Sequence, residues 1–95
     1  MSRSKYRKGA KAEWELKRHL EANGLYVVRS AGSHGLFDLV AIGPKEVLLI
    51  QVKKGKGRER PPVEFREKVR GLKGMKRVRV IWAHKGDFGW VMRDV

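Results

Sequence analysis

The chain contains no cysteine, a single asparagine (Asn23) and a single glutamine (Gln51). Without thiolates it can form neither a disulfide nor a sulfur-ligated zinc centre, and any metal has to be held by oxygen or imidazole. Apolar residues make up 41% of the chain, yet no apolar run approaches the roughly 20 residues that a membrane-crossing helix needs. The first residues are basic and polar with no apolar segment behind them, unlike a secretory signal. No membrane partner is expected, and the protein should be soluble and intracellular, that is cytoplasmic and nucleoid-associated. Acidic residues are also in short supply: 10 Asp and Glu stand against 23 Lys and Arg, for a net charge of +13. Such a surplus calls for a polyanionic partner, with nucleic acid the first candidate ahead of a merely solvated surface, a ribosomal association or an acidic membrane.

Ninety-five residues suffice for one domain, 1–95, with a modest core. Residues 1–8 read as a flexible basic arm that DNA phosphates could order. From Gly9 the pattern becomes helical and stops at Asn23-Gly24, a C-terminal signal. Glu13, Leu16 and Leu20 follow one helical stripe, so Glu13 sits at the edge of the buried face and requires a partner. Glu15, Lys17, Arg18 and Glu21 read as the wet face, and His19 and His84 as surface residues. A first strand covers 25–30, and a loop of small residues follows at 31–35. Two apolar runs then flank Gly43-Pro44 as a β-hairpin. The basic, glycine-rich 54–60 stretch reads as a mobile loop too polar to pack. A proline-opened helix covers 63–72, and strands 77–83 and 89–95 close the chain. The expected fold is α/β, in the order α-β-β-β-α-β-β, a mixed sheet with helices packed on it. Trp82, Trp90 and Phe88 fit either a core or a dimer surface.

The hairpin concentrates chemistry. Pairing Ile42 with Val47 fixes the register so that Asp38 falls opposite Gln51, with Cβ atoms about 5 Å apart. Alternation places Lys53 on the same face as Gln51. Asp38 and Gln51 can offer oxygen ligands to a hard divalent cation, a helix packed on the sheet could bring Glu13 to them, and Lys53 can orient water or stabilise a pentavalent phosphate. Asp38 and Lys53 would equally serve as a salt bridge at a strand end.

The Asp38…Gln51-Val52-Lys53 pattern resembles the PD-(D/E)xK nuclease motif. With Arg7-Lys8-Gly9, Glu13, Val28-Arg29 and Ser33 also in place, residues 5–55 resemble archaeal-type Holliday junction resolvases. That resemblance implies a restriction-endonuclease-like mixed sheet and a magnesium-dependent endonuclease cutting four-way DNA junctions as a homodimer, with manganese able to substitute. It assigns magnesium to Glu13, Asp38 and Gln51, catalytic assistance to Lys53, and an active-site role to Ser33. DNA contacts are expected from Arg7, Lys8, Arg29, His34, Lys54, Lys56, Arg58 and Arg60. Gln51 stands where the family usually has glutamate, and Leu36-Phe37 where a proline commonly precedes the aspartate. The alternatives are another endonuclease of the superfamily without junction specificity, or a silent basic DNA-binding module.

Overall fold

A computed structural model describes residues 3–30 and 35–95, with side chains from residue 10 onward. Its elements are α1 (Arg3–Ala22), β1 (Tyr26–Arg29), β2 (Leu39–Ile42), β3 (Val47–Lys54), α2 (Val63–Val69) extended by a 3-10 turn (Arg70–Leu72), β4 (Val78–Gly86) and β5 (Gly89–Asp94). The five strands form one sheet in sequence order, antiparallel except for the β3–β4 pair. A parallel pair cannot be closed by a tight turn, and the 55–77 connection carrying α2 supplies the crossover. The result is the mixed α/β architecture expected from the sequence.

Helix α1 opens at Arg3, before the apolar period begins, and so takes in residues 3–8 of the expected arm. Arg and Lys are good helix formers, and a helix can extend beyond its apolar stripe. Its end is a Schellman arrangement: Leu25 N–H donates to the Leu20 carbonyl and Gly24 N–H to that of Glu21, with Gly24 at φ 87°. Glycine takes that left-handed conformation without penalty. Ala12, Leu16 and Leu20 recur at four-residue intervals and are buried against Val27, Leu39, Ala41, Leu48, Ile50, Val52, Ile81 and Ala83. These strand residues alternate, which gives one apolar face of the sheet to α1. The opposite face receives α2, whose Phe65 and Val69 pack on Val80 and Trp82, with Leu36, Phe37, Leu72 and Val95 at the margin. Phe65 meets the Trp82 ring edge-on at a centroid distance of 5.1 Å.

Two expectations are corrected. His84 is buried, not a surface residue, because the alternation that turns Val80 and Trp82 inward continues to position 84. The 54–60 stretch is fastened by its backbone. Its carbonyls accept from side chains of β4 and β5: Gly55 from buried His84 Nε2 at 2.7 Å, Arg58 from buried Trp82 Nε1 at 2.8 Å, and Glu59 from the more exposed Arg93 Nε at 3.1 Å. A segment without apolar side chains can still be fixed if its carbonyls meet buried donors. Of the three late aromatics, Trp82 is core, Trp90 is half-buried against the α1 cluster, and Phe88 stands fully exposed at the β4–β5 turn.

Candidate active site

The hairpin register holds from Ile42–Val47 to Leu39–Ile50. It is closed by Gly43 N–H donating to the Glu46 carbonyl at 2.8 Å, with the Leu25 side chain so close to Gly43 that a Cβ would lie 2.8 Å from it. Any larger residue there would push against the end of the hairpin.

Asp38 lies one residue beyond the paired segment and is held from both sides. Its N–H donates to the Ile50 carbonyl at 2.8 Å, and its own carbonyl accepts from Ser30 N–H at 2.9 Å. Its carboxylate Oδ2 accepts from Val52 N–H at 2.8 Å. The peptide so captured joins Gln51 to Val52, which ties the aspartate to the backbone of the proposed amide ligand. A carboxylate has about four lone-pair positions, so this bond does not exhaust its capacity.

Glu13 reaches the same charge neighbourhood from α1. Its side chain is 18% exposed, and Oε1 accepts from Arg29 Nε at 2.9 Å. This is the partner that its place on the helix stripe required. Burial pushes the Glu13 carboxyl above its ordinary value, and the negative charge of Asp38 pushes it further, while Arg29 pulls the other way. A carboxylate whose ionisation is opposed by the charge of a second one nearby offers a natural seat for a cation.

Gln51 and Lys53 lie on the face turned toward α2. Together with Gly35, Leu36, Pro62, Glu64, Phe65, Lys68 and Trp82 they line an open cleft. Lys53 Nζ lies 5.9 Å from the centre of the Trp82 ring, close enough for a cation–π contact that steadies a long side chain. Among the described residues no group of three His, Asp or Glu side chains gathers to hold a metal. The donors present are two carboxylates and an amide oxygen. That set suits magnesium, which keeps several waters and takes one or two carboxylates together with substrate phosphate oxygens.

Of the remaining sequence candidates, Ser33 and His34 lie outside the described residues, as do the side chains of Arg7 and Lys8. Lys54, Lys56, Arg58 and Arg60 are exposed on and beside the fastened loop. Arg29 is mostly covered, at 19% exposure, and bound to Glu13. Sequence reasoning placed Arg29 among the phosphate contacts and missed this pairing, because the two positions are 16 residues apart and on different elements. The signal was the unpartnered Glu13.

Residues 4–79 match the family model of archaeal Holliday junction resolvases. The chain belongs to that family. A curated relative, the crossover junction endodeoxyribonuclease Hjc of Methanocaldococcus jannaschii, is 55% identical over 51 residues, a stretch that takes in 54% of this chain and 38% of that protein. The resolvase-family match takes in Glu13, Arg29, Asp38, Gln51 and Lys53, whereas Trp82, which lines the cleft beside Lys53, lies beyond it.

Proposed function

We propose that this resolvase-family chain is a magnesium-dependent endonuclease that hydrolyses phosphodiester bonds at four-way DNA junctions. The observation that carries the reading is the carboxylate pair: Asp38 locked on the Gln51–Val52 peptide, with the Glu13 carboxylate in its field. Family membership and the relative's name as a crossover junction endodeoxyribonuclease support the choice of substrate.

Glu13, Asp38 and the Gln51 amide oxygen would hold the cation, which supplies Lewis-acid charge neutralisation and a more acidic water. Gln51 contributes one negative charge fewer than glutamate, so a higher magnesium concentration should be needed for half-maximal activity. Lys53 is placed by its strand beside Gln51 and can stabilise charge developing on the phosphate or orient the attacking water. Arg29 offsets part of the repulsion between the carboxylates. Exposed Lys54, Lys56, Arg58 and Arg60 can track phosphates without reading sequence; the family resemblance gives Ser33 an active-site role, and Arg7, Lys8 and His34 are expected DNA contacts. No described helix is long and apolar enough to cross a membrane.

A junction resolved by two symmetric cuts requires two sites, and the active unit is accordingly a twofold homodimer. Tyr26, Val28 and Ile42 expose apolar surface on the sheet face not covered by α1, a surface of the kind a second copy can cover. The test is cleavage of an end-labelled synthetic four-way junction beside a linear duplex of the same arm sequence, with magnesium and with Asp38→Ala as control. Paired symmetric nicks in the junction alone are expected. Equal cutting of both substrates would leave an endonuclease without junction preference, and binding without any Asp38-dependent cut would leave a DNA-binding module.

A further inference from the structure

We propose that Trp14 is a positioning residue for cleavage: its indole holds the Arg29 guanidinium, and through it the Glu13 carboxylate, in the geometry the site uses. The inference rests on the nuclease reading above, since it concerns how that site is kept in shape.

Trp14 follows Glu13 on α1 and is 44% exposed. A single exposed aromatic is unremarkable in itself, but this ring is engaged. Arg29 Cζ lies 5.3 Å from its centroid, and Lys17 Nζ lies at the same distance. Both fall within the roughly 6 Å over which a ring attracts a cation. Lys17 is in turn bound to Glu21 at 2.8 Å, so α1 itself restrains that cation. Arg29 comes from β1, and among the described residues its hydrogen bond is the one from Nε to Glu13, at 2.9 Å. A guanidinium held at one nitrogen can pivot about that bond. Contact with the indole face supplies the second restraint, and it fixes the plane of the guanidinium relative to the carboxylate.

The consequence falls on Glu13. If the guanidinium pivots, the position of Glu13 Oε1 loosens and one oxygen of the carboxylate pair is no longer presented in a fixed place. A misplacement of this size acts on the chemical step, where geometry is critical, and not on the capture of DNA by the exposed basic loop. The alternative role for an exposed tryptophan beside a nuclease site is to stack on a DNA base, which would act on substrate affinity instead.

The experiment compares wild type, Trp14→Ala and Trp14→Phe in magnesium-dependent junction cleavage, measuring kcat, KM and melting temperature, and repeats Trp14→Ala in an Arg29→Ala background. Wild-type junction cleavage is the control for the underlying reading; its absence would sink that reading, whatever Trp14 does. Given cleavage, Trp14→Ala should lower kcat by about tenfold, with KM and melting temperature little changed. Trp14→Phe, which keeps a ring face, should recover most of the rate. In the Arg29→Ala background the same substitution should change nothing further, because two residues acting through one contact are not additive. An unchanged kcat, a rise in KM alone, or an equal loss with and without Arg29 would overturn the proposal.

Discussion

Replacing Asp38 separates what its carboxylate does for the fold from what it does for chemistry. Its Oδ2 accepts the Val52 N–H at 2.8 Å in a partly buried setting. Asp38→Ala removes the acceptor and leaves that donor without it, a loss of about 1–3 kcal/mol. For a domain of this size each kcal/mol corresponds to about 4–8 °C in melting temperature, so Asp38→Ala should melt roughly 5–20 °C lower. Asp38→Asn keeps an acceptor oxygen of the same reach and removes the charge that opposes ionisation of Glu13, and it should melt within a few degrees of wild type. Both variants lose the charge of the proposed ligand, and both should lose cleavage by at least about a hundredfold, because charge neutralisation at a phosphoryl centre is worth several kcal/mol. Thermal denaturation without metal and single-turnover cleavage with it make the comparison. An Asn variant as unstable as the Ala variant would refute the hydrogen-bond account, and one that cuts at the wild-type rate would refute the catalytic one.

Further outcomes follow from the same structure. Leu16 is fully buried between α1 and the sheet, and Leu16→Ala should cost about 2–5 kcal/mol by chemical denaturation, with the spread set by how far the cavity collapses. Trp82→Phe keeps the packing on Phe65 but removes the donor to the Arg58 carbonyl, and should raise amide exchange in 55–60 at a cost of about 1 kcal/mol. The pH dependence has two opposite parts. Asp94 is held below its ordinary value by its hydrogen bonds from Arg79, so it adds stability above the unfolded carboxylate range and loses it as pH falls; this exposed pair should contribute less than about 1 kcal/mol. Glu13 is shifted upward, so without metal its ionisation costs stability as pH rises from about 4.5, and Glu13→Gln should flatten that part of a melting-temperature profile while abolishing cleavage. Non-specific duplex binding should weaken steeply with salt, and replacing Lys54 and Lys56 together should make the slope of log affinity against log salt shallower by about two.

The hairpin register was legible because apolar alternation and the Gly43-Pro44 turn leave one pairing that buries the right face, and the observed ladder keeps it. The order of elements followed from the same periodicities. Three features escaped. The start of α1 has no apolar stripe, so hydrophobic period placed the helix at Gly9 where the chain begins it at Arg3. His84 looked like a surface residue by type, although its strand position set it inward beside Trp82. The 54–60 loop appeared free because its side chains are polar, and what fixes it is backbone carbonyls meeting three donors from β4 and β5. At the site, Asp38, Gln51 and Lys53 could be placed from local spacing, whereas the Arg29 bond to Glu13 joins distant positions that no spacing rule connects.

In the proposed site Gln51 completes the cation's ligands with Glu13 and Asp38. The most direct test of this assignment is the magnesium dependence of junction cleavage for wild type, Gln51→Glu and Gln51→Ala. The added carboxylate should lower the half-maximal magnesium concentration and alanine should raise it, with cleavage strictly dependent on the cation in all three. Identical magnesium curves, or cleavage that persists in chelator, would contradict it.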